Sequence, residues 1–207
     1  MAKLIKLYEN NPDEKKIDQI VEILKKGGII IYPTDTVYGI GCDITHTKAM
    51  EKVALIKGIK LSKANFSFIC NDLSHISDFT KPIPTATYKI LKRCLPGAFT
   101  FILEANNRLP KAFKGKKTIG IRVPDNTIPR IIVEKLGNPI LTTSVLDHDE
   151  ILEYTTDPEL ILERHDKIVD LVIDGGYGNN VASTIVDLSQ NSIEIIREGK
   201  GDINLLY

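Results

Sequence analysis

The spacing of apolar residues changes several times along the chain, and it predicts helices in some segments and strands in others. Near the start, apolar residues recur at helical spacing: Ile17, Ile20, Val21 and Leu24. Asn11 is predicted to cap this helix, with Pro12 at its first position and Glu14 three residues after the cap. Gly27 or Gly28 is expected to end it.

Further helices and strands are predicted from the same periodicities and from turn residues. Helices are expected over residues 47–57, 86–95 and 128–136, and another is expected to open at Pro158 and run towards Arg164. Thr156 and Glu159 form a predicted capping box for that last helix. Strands are expected over residues 29–32, 66–70, 100–103, 118–123, 140–143, 171–173, 183–188 and 193–197.

Helices and strands do not alternate strictly along the chain, and this distinguishes a doubly wound α/β fold from a mixed one. A doubly wound fold requires regular alternation, whereas this order favours a mixed, twisted β-sheet covered by helices. No linker rich in Gly, Ser or Pro divides the 207 residues. The sequence therefore predicts an α/β protein with one domain spanning residues 1–207.

Composition and charge limit the classes of function. Hydrophobic residues make up 43% and charged residues 26%, as in ordinary globular proteins. The 27 basic residues balance the 27 acidic ones, so no attraction of the whole surface to nucleic acid or membrane is implied. Cys42, Cys70 and Cys94 are far apart and odd in number, which argues against a disulfide framework. A reduced, cytoplasmic setting without membrane association is expected.

Polar side chains at the ends of apolar strands indicate a ligand site. Hydroxyl residues follow Tyr32 in the turn 34–36 and recur at 142–144. Arg122 and Arg197 lie in apolar strands, where a guanidinium needs an anion or a carboxylate partner. Taken singly, each arginine favours a surface position or a structural ion pair. Taken together, these residues predict a cleft that binds phosphate or carboxylate.

Standard motifs for phosphate and metal binding are absent from the sequence. Neither a Walker A motif nor a strand followed by GxGxxG occurs, and the four histidines lack metal-ligand spacing. Residues 147–150 (DHDE) are interpreted as a solvated loop rather than as a cation site. No metal held by protein ligands is predicted.

A resemblance to a known family covers nearly the whole chain. Residues 27–43 (GGIIIYPTDTVYGIGCD) closely resemble the N-terminal signature of YrdC-like proteins, and Lys57 matches that family's first active-site lysine. Later segments resemble its remaining motifs in the same order: 96–103 (PGAFTFIL), 118–124 (TIGIRVP), 139–144 (PILTTS), 174–176 (DGG), 183–188 (STIVDL) and 197–199 (REG). The resemblance implies the YrdC-like fold with a basic ligand-binding cleft.

The family's reaction provides the first functional hypothesis. YrdC-like synthases are nucleotidyltransferases that condense threonine, bicarbonate and ATP into threonylcarbamoyl-AMP and pyrophosphate for the t6A modification of tRNA. By resemblance, the threonine would be contacted by Thr34, Arg122 and Ser183. The ATP would be contacted by Lys57, Thr100, Ser144 and Arg197. Lys57 and Arg122 would be catalytic, and Mg²⁺ is expected with the ATP, held mainly through its phosphates.

Two positions depart from the family's usual pattern. Its Lys-x-Arg motif appears here with Ile59 in the arginine position, and its Ser-x-Asn motif appears with Leu146 in the asparagine position. An isoleucine cannot supply the planar fork of a guanidinium. With these two changes the chain looks most like the YciO-type branch of the family.

The second hypothesis is an RNA-binding protein of the YciO type, for double-stranded RNA or tRNA, without robust synthase activity. A basic stripe is its main support: Lys57, Lys60, Lys63, Lys92 and Arg93. Taken singly, these residues favour a solvated helix face, and the zero net charge counts against strong nucleic-acid binding. Proteins of tRNA modification are partners that either hypothesis allows.

Overall fold

The computed structural model of the chain describes residues 1–145, 155–190 and 192–207. Leu146 and the segment 147–150, both discussed above, lie outside the described residues. The described strands are β1 (Lys3–Lys6), β2 (Ile30–Tyr32), β3 (Gly39–Asp43), β4 (Ser67–Ile69), β5 (Phe99–Glu104), β6 (Thr118–Arg122), β7 (Ile140–Ser144), β8 (Leu171–Asp174), β9 (Thr184–Asp187) and β10 (Glu194–Arg197). The described α-helices are α1 (Glu14–Lys25), α2 (Thr47–Ile56), α3 (Leu73–Ile76), α4 (Thr85–Cys94), α5 (Thr127–Leu136) and α6 (Pro158–His165).

The ten described strands form one sheet in the order β1-β8-β2-β3-β7-β4-β6-β5-β9-β10. Four neighbouring pairs are parallel, namely β1–β8, β8–β2, β4–β6 and β5–β9. The other pairs are antiparallel. The predicted fold class, a single mixed α/β domain built on a twisted sheet with helices, is confirmed.

Apolar residues alternate between the two faces of the central strands, because successive side chains of a strand point in opposite directions. On β2, Ile30 and Tyr32 pack with α1 and α5 on one face. Ile31 points to the other face, where a larger core includes residues of α2, α4 and α6. Strands buried on both faces read as continuous apolar runs, which is why the segment around Ile30–Tyr32 was recognisable in the sequence.

The face beneath α1 and α5 is covered over only part of its width. One cross-strand row runs from Ile140 and Ile69, which pack with α5, to Arg122 on β6. The next row carries small or short side chains at three neighbouring positions: Thr142, Ser67 and Gly120. A Cβ added at Gly120 would lie 2.5 Å from Ser67 Oγ, so the two strands leave no room for a larger side chain there. This part of the sheet face remains open as the floor of a cleft.

Two predicted helix starts are wrong, and both errors have the same cause. The cap of α1 is Asp13, whose carboxylate accepts a hydrogen bond from Lys16 N at 3.1 Å. Asn11 and Pro12 therefore precede the helix rather than open it. The cap of α6 is Asp157, which accepts from Glu159 N at 2.9 Å, so the capping box predicted at Thr156 is also wrong. In both cases an aspartate nearer to the helix replaced the predicted cap.

The ends of other helices agree with the sequence. Gly137 ends α5 in the left-handed conformation with φ of 74°, as glycine readily does. Pro158 occupies the start of α6, where its missing N–H costs nothing. The strands β1 and β3 and the short helix α3 were not predicted. Among the described residues, no helix has both the length and the apolar character needed to cross a membrane.

The cap of α1 gives a direct test of the corrected boundary. We expect Asp13→Ala to lower the free energy of unfolding by about 1 kcal/mol, because it removes a side-chain acceptor for an N-terminal amide of the helix. Asn11→Ala serves as the matched control and is expected to change stability by less than about 0.5 kcal/mol. Urea unfolding followed by circular dichroism measures both, and equal losses in the two variants would contradict the assignment.

Candidate functional site

A cleft lies on the open part of the sheet and contains two adjoining cavities. The smaller, of about 150 Å³, is polar and is bordered by strands β3, β6 and β7 and by the segment before β9. The larger, of about 340 Å³, extends along β5, β6 and β9. The two cavities share Asn65, Ser67, Thr100 and Ile185 as lining residues, so they form one continuous groove.

Most of the residues predicted by resemblance lie together in the smaller cavity. Five of the seven line it: Thr100, Arg122, Ser144, Ser183 and Arg197. Thr34 lies in the adjacent turn and is connected to the cavity through its neighbours. Lys57 is the C-terminal cap residue of α2 and lines neither cavity. The fold therefore brings to one cavity residues that are up to 97 positions apart in the sequence.

The guanidinium of Arg122 is the buried charge of the cleft. Only 8% of the residue is exposed, and its Nη2 donates to Asp35 Oδ1 and to Thr36 Oγ1, both at 3.0 Å. Burial lowers the pKa of Arg122, and the neighbouring Asp35 carboxylate opposes that shift. Within the described residues, Arg122 Nε and Asp35 Oδ2 are buried and have no hydrogen-bond partner. Unsatisfied buried atoms are uncommon, so this pair keeps one unmet donor and one unmet acceptor beneath the surface of the cleft.

The turn that carries Asp35 has a fixed direction of hydrogen bonding. Thr34 Oγ1 donates its one proton to Val37 O at 2.7 Å and accepts from Thr36 N at 3.0 Å. Thr36 Oγ1, 3.1 Å from Thr34 Oγ1, must therefore be the donor between the two hydroxyls. In this arrangement the Thr34 hydroxyl holds the turn, and the chain of bonds runs from Arg122 through Thr36 and Thr34 to a backbone carbonyl.

On the opposite side of the cavity, a hydroxyl pair faces Arg197. Thr100 Oγ1 and Ser183 Oγ lie 2.8 Å apart, so one hydroxyl donates to the other and one proton of the pair is left for a third group. Arg197 donates through Nε and Nη2 to the carbonyl of Ser183, at 3.2 and 2.8 Å. Burial, followed by repulsion from Arg122, lowers the pKa of Arg197. Among the described residues no carboxylate forms an ion pair with Arg197.

A buried tyrosine orients a further hydroxyl towards the cavity. Tyr32 OH donates to Thr142 Oγ1 at 2.5 Å. Burial raises the pKa of Tyr32, so this hydroxyl keeps its proton and remains the donor. Thr142 lines the cavity and has its own proton available for another acceptor. Thr142, the pair Thr100 and Ser183, and Arg197 can thus each donate to a ligand, which favours one with oxygen acceptors.

The larger cavity combines apolar and charged residues. Ile102, Ile185 and Ile196 line it together with Lys116, Lys117 and Asp187. The Lys116 ammonium donates to the carbonyl of Ala64 at 2.5 Å, and burial lowers its pKa. An apolar floor with polar groups at the rim suits a flat organic group attached to an anion.

Ile59, which stands where the family usually has an arginine, lies in the C-terminal turn of α2. Gly58 adopts φ of 67°, and its N–H and that of Ile59 bond to Leu55 O and Ala54 O, at 2.9 and 3.0 Å. This is the Schellman pattern of helix termination. Ile59 is 41% exposed and lines neither cavity. The second departure, Leu146, lies outside the described residues.

Sequence reasoning assigned no role to one residue that lines the cavity, Thr142, or to three that support its lining residues, Tyr32, Asp35 and Thr36. Asp35 and Thr36 stand inside the quoted N-terminal signature, and Thr142 stands in the noted hydroxyl cluster, but none was given a role. Tyr32 was counted as an ordinary strand residue. An acidic residue in a turn is usually solvated, so only the tertiary contact with Arg122 identifies Asp35 as part of the site.

Comparison with known proteins identifies relatives of the whole chain. The family model Sua5/YciO/YrdC, described as "Telomere recombination", matches residues 22–199. The YciO protein of Escherichia coli K12 is 38% identical over 206 residues, covering 98% of each chain. A putative threonylcarbamoyl-AMP synthase of Methanocaldococcus jannaschii is 34% identical, covering 95% of this chain and 93% of its own.

Solved structures agree with these sequence comparisons. The crystal structure of E. coli YciO superposes with a TM-score of 0.91 at 37% identity and covers all of both chains. Sua5 of P. abyssi, crystallised in complex with L-threonine, superposes with a TM-score of 0.84 at 24% identity. That match covers 95% of this chain and 57% of the Sua5 chain, and at this identity it supports the fold.

The hydrogen bond between Tyr32 and Thr142 can be tested with a double-mutant cycle. We expect Thr142→Val to lower the free energy of unfolding by about 1–3 kcal/mol, because it leaves the buried Tyr32 hydroxyl without an acceptor. Adding Tyr32→Phe removes the unsatisfied donor and should restore part of that loss. Urea unfolding of the four proteins gives the coupling energy. Strictly additive losses would show that the two side chains are not bonded.

Proposed function

The chain belongs to the Sua5/YciO/YrdC family, and we propose that it is an ATP-dependent synthase of threonylcarbamoyl-AMP or of a close analogue. The whole of residues 1–207 would act as one YrdC-like domain. The observation that carries the proposal is the convergence of Arg122, Arg197 and six serine and threonine residues on one polar cavity. Such an arrangement suits a reaction in which carboxylate and phosphate groups must be brought together.

The proposed chemistry has two steps. The amino group of threonine attacks the carbon of bicarbonate, a water molecule leaves, and N-carboxythreonine is formed. One oxygen of the new carbamate then attacks the α-phosphorus of ATP, and pyrophosphate leaves. Both partners of the second step are anions, so positioning and charge neutralisation contribute more than a strong base does. Arg197 and the free protons of the hydroxyl residues would stabilise the negative charge.

The adjoining cavities have sizes and linings that match the parts of these substrates. The polar cavity of about 150 Å³ suits the amino acid and the reacting phosphate. The cavity of about 340 Å³, with its isoleucine floor, suits the nucleoside. Mg²⁺ would enter with ATP as part of the substrate. In the described part of the chain no group of three His, Cys, Asp or Glu residues could hold it, so its ligands would come mainly from the phosphates.

Pyrophosphate release measures the proposed reaction directly. With ATP, Mg²⁺ and bicarbonate, we expect release that depends on L-threonine. We expect Arg197→Ala to lower kcat/KM about a hundredfold or more, because a charged donor to the phosphate is lost. Arg108→Ala is the matched control, since Arg108 lies at the surface with 75% of its side chain exposed and pairs with Asp78 at 3.6 Å.

The outcome separates synthesis from other uses of ATP. Release that proceeds equally without threonine or bicarbonate would reject the synthase proposal. Equal losses in Arg197→Ala and Arg108→Ala would show that the polar cavity is not where the reaction occurs.

RNA binding is the second candidate function, and a group of lysines favours it. The turn Leu61–Lys63 contacts the turn Lys111–Phe113, and this brings lysines from two parts of the chain to the rim of the cleft. The group consists of Lys60, Lys63, Lys111, Lys114, Lys116 and Lys117. No ion pair among the described residues involves them. Arg93, expected in the basic stripe, instead donates to the carbonyls of Leu205 and Leu206.

Salt dependence tests this second candidate. If these lysines contact phosphates, the affinity for double-stranded RNA should fall linearly on a logarithmic plot against salt concentration. The double variant Lys111→Ala, Lys114→Ala should then reduce the slope by about two. The control is Lys15→Ala, Lys25→Ala, which removes the same charge from α1. A dissociation constant that does not change with salt would reject this function.

A further inference from the structure

The last strand of the sheet, β10, contains one residue more than the part of β9 with which it pairs. Ile195 pairs with Val186, and Arg197 pairs with Ile185, so Ile196 between them has no partner on β9. Two residues of one strand that oppose a single residue of the other form a β-bulge. The bulge therefore interrupts the regular alternation of side chains along β10 at Ile196.

The bulge determines which face of the sheet these side chains occupy. Val186 is buried in the larger core, and its cross-strand partner Ile195 lies on the same face. Ile185 lines both cavities of the cleft, and its partner Arg197 lines the polar one. In a regular strand the residue before Arg197 would point away from the cleft, yet Ile196 lines the larger cavity. Two consecutive residues thus face the cleft, one apolar and one charged.

These two residues border adjoining cavities. Arg197 lines the polar cavity of about 150 Å³, and Ile196 lines the cavity of about 340 Å³. The guanidinium is held in place by the carbonyl of Ser183, to which Nε and Nη2 donate at 3.2 and 2.8 Å. Ile196 is 52% exposed, so a ligand that covers it removes apolar surface from water. An anion bound to the guanidinium would therefore bring the group attached to it close to Ile196.

Two simpler explanations account for only part of this arrangement. A single exposed isoleucine is ordinary on a protein surface, but Ile102 and Ile185 line the same cavity as Ile196. A bulge on an edge strand can also hinder pairing with another chain. That role concerns the free edge of β10 and would leave ligand binding unaffected, so it predicts a different experimental result.

We propose that the bulge makes Ile196 a specificity-determining residue, which gives the cleft a preference for a polyphosphate that carries a nucleoside over one that does not. This inference rests on the proposed function and extends it from the phosphates, held by Arg197, to the group attached to them. The ligand is an anion joined to a flat organic group, and each of the two consecutive side chains contacts one of these parts.

Binding of ATP and of tripolyphosphate, without threonine or bicarbonate, isolates the contribution of the nucleoside. Both ligands contain a triphosphate chain, and only ATP carries a nucleoside. With Mg²⁺ present, we expect the wild-type protein to bind ATP about tenfold or more tightly than tripolyphosphate. We expect Ile196→Ala to weaken ATP binding about five- to tenfold, because most of the apolar side chain is removed, and to leave tripolyphosphate binding unchanged. Isothermal titration calorimetry measures each dissociation constant.

Two further variants separate the side chain from the bulge. Ile195→Ala is the matched control, since it removes the same side chain from the neighbouring residue on the other face, and it should leave the ratio of the two dissociation constants unchanged. Deletion of Ile196 allows Ile195 and Arg197 to keep their partners Val186 and Ile185 in a regular strand. The deletion should lose the preference for ATP and retain tripolyphosphate binding. Thermal unfolding shows whether each variant is folded at the temperature of the titration.

Each result decides the proposal. If Ile196→Ala weakens ATP binding no more than Ile195→Ala does, the inference is wrong, and pyrophosphate release still decides the synthase proposal. Equal weakening of ATP and tripolyphosphate in Ile196→Ala also overturns it, since Ile196 would then affect only the phosphate site. An unchanged preference after deletion of Ile196 would assign the bulge to protection of the sheet edge instead. A preference that both Ile196 variants lose, without threonine-dependent release of pyrophosphate, would retain the specificity residue and remove the synthase.

Discussion

The burial of one guanidinium constrains the architecture of the whole cleft. Arg122 occupies a sheet position in line with Ile69 and Ile140, where the fold would otherwise accept an apolar residue. A buried cation is tolerated only when a carboxylate and hydrogen-bond acceptors surround it. The turn containing Asp35 and Thr36 meets this need, so its position is tied to that of β6. That turn is also held by the C-terminal part of the chain, since Thr36 O accepts from Asn179 N and Asp35 O accepts from Lys200.

The same region of the sheet also has a face that none of the described helices covers. A sheet face normally needs apolar cover, yet β3, β4, β6 and β7 present Gly39, Ser67, Gly120 and Thr142 to the cleft. Small and polar residues remove the hydrophobic cost of leaving this face uncovered. They also bring the backbone close to any ligand that lies on the sheet. The opposite face of the same strands carries the apolar residues Ile40, Phe68, Ile121 and Leu141, so the larger core provides the stability that the cleft does not.

The sequence predicted those parts of the fold whose signals are local. Buried strands such as β2 are continuous apolar runs, and α5 ends at a glycine that can adopt positive φ. The strand β3 was missed because Gly39 and Gly41 interrupt its alternation, and their role is visible only against Tyr32 and β7. The functional site likewise has features that the sequence predicted and features that it did not. Arg122 and Arg197 were expected to need anions, whereas the ion pair with Asp35 depends on a contact across 87 residues that no local pattern contains.

The departure at residue 59 leaves the end of helix α2 intact and lies outside both cavities of the cleft. Ile59 continues the Schellman end of α2 with its own N–H, so the helix terminates normally without the arginine that synthases usually carry there. The cation is lost without a structural change to signal it. Because Asp35 neutralises Arg122, Arg197 carries the net positive charge among the described residues that line the polar cavity.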